Sequence, residues 1–187
     1  FTFRSADIGV VMDMMIHDID IVLSLAGPDV AAVDAVGVNV LGRHEDIANA
    51  RLTFADGCVA NLTASRLALK TERKIRVFSQ EAYLSLDYQK KTGIAIKKDA
   101  NLDILKLARE RNIQDLAQLA GFEYSKLVKV EPLTFVDEEP LAAEIEAFVT
   151  AARTRAEPAV SARAGLAAVE VAHRIVTSIR EHNWKLA

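Results

Sequence analysis

Four polar side chains that could take part in acid–base chemistry recur along one apolar stretch near the start of the chain: Asp13, His17, Asp20 and Ser24. At about 100° per residue, these spacings place all four on one line of a helix. The rest of the stretch from 9 to 27 is almost wholly apolar, which predicts a helix buried on most sides. Carboxylates and an imidazole are costly to bury unless they are paired or used. We therefore interpret this stripe as the candidate site.

Turn and breaker residues divide the chain into short elements around that helix. Ser5 or Asp7 is its predicted cap, and Gly27-Pro28 its predicted end. Asp56-Gly57 between two alternating runs predicts a hairpin with a turn of the primed type. The predicted strands lie at 30–41, 47–54, 58–66, 71–78, 83–88, 93–98 and 126–136. Further helices are predicted at 101–120, 140–155 and 162–182.

This order of elements predicts an α+β fold, a mostly antiparallel open sheet with helices packed on one face. The 187 residues are enough for a single domain, which we assign to 1–187 with a helical insert at about 101–120. The sheet face that no helix covers predicts pairing with a copy of the chain, so a homo-oligomer is expected.

Composition narrows the class of protein. The formal net charge of −3 argues against nucleic acid or an anionic membrane as the main partner. No apolar run reaches the roughly 18 residues of a membrane span, and no secretory signal is visible. The single cysteine, Cys58, excludes an internal disulfide and favours a reducing, cytoplasmic setting.

Two features of the sequence predict that the chain is part of a longer protein. The chain starts at Phe1 rather than at a methionine. It contains no Gly-x-Gly-x-x-Gly and no Gly-x-x-x-x-Gly-Lys, the sequences that cradle a pyrophosphate. We therefore expect a fragment without a nucleotide-binding loop of its own.

The pattern Asp13-x-x-x-His17-x-x-Asp20, on a helix just after a glycine, resembles the substrate-domain motif of the Gfo/Idh/MocA oxidoreductases. MIHDIDIVL within it is most similar to the family's nucleotide-sugar members. Further segments resemble the family's C-terminal half, in the same order: VAAVDAVGV, ARLTFADGCVANLTASR, EPLAAEIEAFVTA and SARAGLAAVEVAHRI.

The resemblance implies a glyceraldehyde-3-phosphate-dehydrogenase-like C-terminal domain of an oxidoreductase that acts on a hydroxyl of a sugar or nucleotide sugar. It implies that His17 is the general acid/base, that Asp13 orients the imidazole or binds substrate, and that Asp20 also binds substrate. NAD or NADP would be held mainly by a Rossmann domain absent from the chain. The family's Glu-Lys-Pro segment is absent too, so the chain alone is expected to be inactive.

Several alternatives remain open for the same residues. His17 could be a core histidine held by Asp13 or Asp20 in a purely structural triad. The three side chains could ligate zinc or manganese as in a metal-dependent hydrolase, but no second histidine or cysteine lies nearby in the sequence, so we expect no metal. The domain could also be a non-catalytic sugar-binding or scaffold module without a cofactor half.

Two arginines and three further histidines complete the candidates. Arg4 and Arg66 could bind the diphosphate of a nucleotide sugar, although an arginine at a strand end is more often solvated or paired. His173 lies on an apolar helix face and is predicted to be packed. His44 and His182 are predicted to be exposed.

Overall fold

The structure is a computed structural model that describes residues 7–98, 128–135 and 138–182. Its residues divide into two compact units, 1–69 with 140–187 and 70–139. The predicted insert at 101–120 lies outside the described residues. The assignment of 1–187 to one domain stays a prediction.

The described residues of the first unit form a three-stranded antiparallel sheet with two helices packed on one face and a third helix that is exposed. Its sheet has the order β1-β2-β3 and its helices are α1, α2 and α3. The bounds are α1 Ile16–Ala26, β1 Val30–Val38, β2 Ile47–Phe54, β3 Val59–Ser65, α2 Pro140–Thr154 and α3 Ala162–Glu181.

The second unit is a four-stranded antiparallel sheet. Its described strands are β4 Lys74–Phe78, β5 Ala82–Asp87, β6 Thr92–Lys98 and β7 Val128–Leu133, paired in that order. Pro132 lies in β7, at the edge of the described sheet, as its missing N–H predicts. The antiparallel α+β class is therefore confirmed, but the described strands form two sheets where the sequence predicted one.

The predicted first helix is two kinds of helix joined end to end. A π-helical turn at Val11–Met15 leads directly into α1. A π turn closes hydrogen bonds to the fifth residue along instead of the fourth, and such turns are frequent at functional sites. Gly27, at φ +86°, ends the helix as the sequence predicted.

The core of the first unit lies between α1, α3 and one face of the sheet. Alternation along β2 sends every second side chain into this core. The buried residues include Val11, Met15, Ile19 and Leu23 of the first helix, Ala48, Ala50, Leu52 and Phe54 of β2, and Ala168, Val171, Ala172 and Ile175 of α3. At Gly37 a Cβ would lie 2.9 Å from Ile179 Cγ2, so this glycine lets α3 approach β1 closely.

Two side chains of α3 cover the free edge of β1. Arg174 donates to the carbonyl oxygen of Val30 at 2.7 Å and to that of Ala31 at 3.4 Å. Ser178 Oγ accepts from the N–H of Ala35 at 3.0 Å. These bonds satisfy backbone groups that an edge strand otherwise leaves unpaired.

The hairpin between β2 and β3 confirms the predicted position of the turn but not its type. The loop holds three residues, 55–57, with the N–H of Phe54 bonded to the carbonyl of Cys58 at 2.9 Å. Gly57 has φ +89°, whereas Asp56 does not have a positive φ. The turn is therefore not of the primed type, and the Asp56 carboxylate instead accepts from the N–H of Cys58 at 2.9 Å.

Candidate active site

The predicted polar stripe lies on the side of the first helix that faces away from the core. Residues Val11, Met15, Ile19 and Leu23 form its buried line. Because position 13 is two residues on from position 11, roughly half a turn around the helix, its side chain projects from the opposite side. Exposed apolar residues at Met14 (41 %) and Leu25 (63 %) show that the described chain does not bury this helix on most sides, contrary to the prediction.

The three ionisable residues of the stripe differ in exposure. Asp13, in the π turn, and Asp20, in α1, are half-buried, whereas the His17 side chain is exposed. No hydrogen bond or ion pair joins the three side chains in the described structure. A structural triad would require a buried imidazole bonded to one of these carboxylates. The geometry instead leaves the His17 imidazole open to a ligand, with a carboxylate on each neighbouring turn.

The fourth member of the stripe turns back onto the helix. Ser24 Oγ donates to the carbonyl oxygen of Ile21 at 2.7 Å and is exposed. This local bond takes up its hydroxyl hydrogen. The side chains of the stripe that remain available for acid–base chemistry are therefore those of Asp13, His17 and Asp20.

The start of the helix is fixed by a residue that the sequence did not single out. Glu45, between β1 and β2, accepts the N–H of Val10 on its carbonyl oxygen at 2.9 Å and that of Val11 on Oε1 at 3.2 Å. A Cβ at Gly9 would overlap the Glu45 carboxylate. Of the two predicted caps, Asp7 is exposed without such a contact, and Ser5 lies outside the described residues.

Asp46, the residue after Glu45, has a buried carboxylate that accepts hydrogen bonds from backbone groups. Its Oδ2 accepts the N–H groups of Val40 and Leu41, both at 2.7 Å. Donation by Leu41 and Val40, with the charge of Arg66, holds the pKa of the carboxyl below its usual value although burial acts in the opposite direction. Sequence patterns did not single out this carboxylate.

Arg66 joins this turn to the segment before the helix. Its Nε lies 3.5 Å from Asp46 Oδ1, and its Nη2 donates to the carbonyl oxygen of Ile8 at 2.6 Å. Its backbone N–H also donates to the carbonyl oxygen of Asp46 at 3.0 Å. The guanidinium is thus engaged within the protein. Its predicted contact with substrate stays a prediction, and Arg4 lies outside the described residues.

The remaining histidines lie on the surface. His44 and His182 are exposed, as predicted. His173 is also exposed, so the prediction that it is packed is wrong. Its neighbours Val171, Ala172 and Ile175 form the buried face of α3, and His173 lies just outside that face.

The described ranges also bear on metal binding and on membrane insertion. No three His, Cys, Asp or Glu side chains there come together in a way that could hold a metal ion. No described helix has the length and apolar character that crossing a membrane would require.

A shallow depression of about 260 Å³ lies on the face of the first sheet opposite the helices. Across it, Arg51 Nη1 donates to Asn61 Oδ1 at 3.1 Å and Thr63 Oγ1 donates to Asn49 Oδ1 at 2.7 Å. Asp34 lies opposite Arg51 on the neighbouring strand. This polar surface, which we call the outer face, is separated from His17 by the sheet.

Part of the chain matches a known protein family. Residues 1–85 match the model of the GFO/IDH/MocA C-terminal domain family. The match covers 85 of the 187 residues. The matched residues include the helix with Asp13, His17 and Asp20, so the resemblance inferred from the motif is confirmed.

Individual relatives extend the likeness beyond the family match. The chain is 45 % identical, over 92 residues, to a UDP-N-acetylglucosamine 3-dehydrogenase of Acidithiobacillus ferrooxidans; the match covers 49 % of this chain and 29 % of the relative. A solved structure of UDP-N-acetylglucosamine 3-dehydrogenase GnnA from the same organism superposes with TM-score 0.77 at 30 % identity, covering 96 % of this chain and 50 % of that one. The chain therefore spans at most about half the length of these relatives.

A more distant structure shows the same fold. The WlbA dehydrogenase from Bordetella pertussis, solved in complex with NADH and UDP-GlcNAcA, has TM-score 0.64 at 20 % identity, with 92 % of this chain and 46 % of that chain covered. The architecture is that of the C-terminal domain of Gfo/Idh/MocA oxidoreductases.

Proposed function

We propose that this GFO/IDH/MocA domain forms the substrate side of an NAD(P)-dependent dehydrogenase that oxidises a hydroxyl of a sugar or nucleotide sugar. The observation that carries the proposal is the state of His17, an exposed imidazole bonded to neither of the half-buried carboxylates beside it. The likeness to a UDP-N-acetylglucosamine 3-dehydrogenase supports the substrate class.

In this mechanism His17 acts as the general base. Its neutral imidazole removes the proton of the substrate hydroxyl while a hydride leaves the carbon that bears it, so the alcohol becomes a ketone. Imidazole suits this step because its unperturbed pKa lies near neutral pH. Asp13 and Asp20 accept hydrogen bonds from neighbouring sugar hydroxyls, which fixes the sugar against His17.

The hydride acceptor is a nicotinamide, which supplies the oxidising power when bound. The residues described here do not fit the remainder of that cofactor, because the chain contains no glycine-rich pyrophosphate loop and the depression on the outer face lies across the sheet from His17. We assign NAD or NADP to a dinucleotide-binding domain outside these residues. This chain contributes the proton acceptor and the sugar contacts.

The test is His17→Ala in the full-length protein that carries this sequence, assayed with UDP-N-acetylglucosamine and NAD⁺ or NADP⁺. We expect kcat to fall by about 10²-fold or more, the usual contribution of an acid/base group. His173→Ala is the matched control, because that histidine is also exposed on a helix of the same unit. Unfolding temperatures of both variants report whether the fold survives.

Two results would contradict the proposal. An unchanged kcat in a folded His17→Ala protein would remove His17 from the chemistry. Binding of the nucleotide sugar without any reduction of NAD⁺ or NADP⁺ by the wild-type protein would favour the non-catalytic binding module.

We further propose that the outer face pairs with the same face of a second copy. Asp34 and Arg51 lie directly opposite each other on neighbouring strands of this face. In a twofold interface the same patch meets itself, so Arg51 of one copy can face the acidic residue of the other. This charge complementarity supports a homo-oligomer.

A further inference from the structure

The connection between β1 and β2 contacts the start of the site helix through one residue, Glu45. Its carbonyl oxygen accepts the N–H of Val10 at 2.9 Å, and its Oε1 accepts that of Val11 at 3.2 Å. The first N–H groups of a helix have no partner within the helix, and a negative charge at that end is favourable. A side chain 34 residues away in the sequence therefore caps this helix.

Gly9 makes this contact possible. A Cβ at that position would overlap the Glu45 carboxylate, so the carboxylate occupies space that any other residue would fill. The carbonyl oxygen of Gly9 then accepts the N–H of Asp13 at 3.1 Å. The same short segment thus contacts Glu45 on one side and the backbone of a site residue on the other.

Glu45 itself is attached to a fixed support. Its neighbour Asp46 is buried and bonded to the N–H groups of Val40 and Leu41 at 2.7 Å. The Arg66 guanidinium lies 3.5 Å from Asp46. A cap on a rigid support holds the helix start in one position, whereas a cap on a mobile loop would move with that loop.

The π turn makes the position of the helix start matter for chemistry. It contains Asp13 and ends immediately before α1, which carries His17. The orientation of Asp13 relative to His17 therefore depends on how this turn is wound. Because Glu45 bonds to the first residue of the turn, a change in that bond alters the turn itself.

We propose that Glu45 is a positioning residue, which sets the orientation of Asp13 relative to His17 by capping the π turn through the Val11 N–H. The inference rests on the proposed function of His17. It assigns Glu45 no contact with substrate.

The experiment compares Glu45→Ala and Glu45→Gln in the full-length protein, with UDP-N-acetylglucosamine and NAD⁺ or NADP⁺. Glutamine keeps an oxygen that can accept from the Val11 N–H, whereas alanine does not. We expect Glu45→Ala to lower kcat by about tenfold or more, because small misplacements of catalytic groups have large effects on rate. Glu45→Gln should restore kcat to within about threefold of wild type, and Glu170→Ala, an exposed glutamate of α3, should leave kcat unchanged.

A second readout does not depend on activity. Hydrogen–deuterium exchange of a peptide spanning residues 8–16 should be about tenfold faster in Glu45→Ala than in wild type or Glu45→Gln. A purely stabilising role would instead lower the unfolding temperature of Glu45→Ala while kcat per folded molecule and local exchange stay unchanged. That result would overturn the inference.

The two proposals fail separately. If His17→Ala loses activity but Glu45→Ala keeps it, only the positioning role is wrong. If His17→Ala keeps activity, the proposed function fails, and the positioning role as stated fails with it. The exchange experiment then reports only whether Glu45 caps the π turn.

Discussion

Asp46 keeps a charged carboxylate inside the protein because the backbone surrounds it with donors. It is 3 % exposed, and the N–H groups of Leu41 and Val40 both donate to it. Such charge-assisted bonds are stronger than those between neutral groups. The turn before β2 thus depends on the ionised form of one residue.

This dependence predicts a loss of stability in acid. The pKa of Asp46 is lowered in the folded protein from an ordinary value of 3.8. Its contribution to the free energy of unfolding is therefore present above pH 3.8 and is lost as the pH falls through the lower, folded value. Urea unfolding of wild type and Asp46→Asn at pH 7 and pH 3 measures it. The wild type should be more stable by about 1–2 kcal/mol at pH 7, and the difference should shrink at pH 3.

An equal difference at both pH values would contradict this prediction. Glu170→Gln is the control at the same two pH values, because that glutamate is exposed. Its effect on stability should be small throughout.

The sequence predicted which residues share the stripe, but not which residues hold it in place. Helical periodicity alone puts Asp13, His17 and Asp20 on one side, because it needs only local spacing. The bond from Glu45 to Val11 and that from Arg66 to Ile8 span 34 and 58 residues. Contacts between residues so far apart follow from tertiary packing, which periodicity does not encode.

At the scale of the elements, α3 and β1 are joined by side-chain bonds as well as by apolar packing. Arg174→Met would keep the apolar stem and remove the donors to the carbonyl oxygens of Val30 and Ala31. We expect a loss of about 1–2 kcal/mol in the free energy of unfolding, measured by urea denaturation. Arg163→Met is the control, because Arg163 is exposed in the first turn of the same helix. Equal effects of the two substitutions would contradict a specific role for Arg174.

Most elements followed from local sequence signals. Alternating apolar residues and the turn at Gly57 located β2 and β3, and Pro140 and Ser161 marked the starts of α2 and α3. The division into two sheets was not predicted, because alternation identifies a strand but not the strand with which it pairs. The π turn did not follow either, since VMDMM contains no residue that breaks a helix.

For the whole molecule, the proposed pairing of outer faces predicts that the oligomer depends on Arg51. Arg51→Glu places a second negative charge opposite Asp34 on each copy, and like charges meeting across a twofold interface repel. Light scattering of the full-length protein should give a lower mass for this variant than for wild type. Arg153→Glu, on exposed α2, should leave the mass unchanged. A wild-type protein that is already monomeric would contradict the pairing.

The length of the relatives shows how much of a matched protein this chain covers. The matched UDP-N-acetylglucosamine 3-dehydrogenase structure is about twice as long as the part this chain covers. The motif of Asp13, His17 and Asp20 predicted the family whose model residues 1–85 match. Substrate identity and the choice of nicotinamide cofactor depend on surfaces that these few residues do not determine.

The π turn has a consequence for how this site is compared with others. His17 follows Asp13 by four positions, but a turn closed at the fifth residue advances by fewer degrees per residue than the 100° of an α-helix. The same four-residue spacing in an uninterrupted α-helix would therefore describe a different angle between carboxylate and imidazole. Two domains with identical motifs can thus present their acid and base groups in different directions, and the difference is invisible in an alignment without gaps.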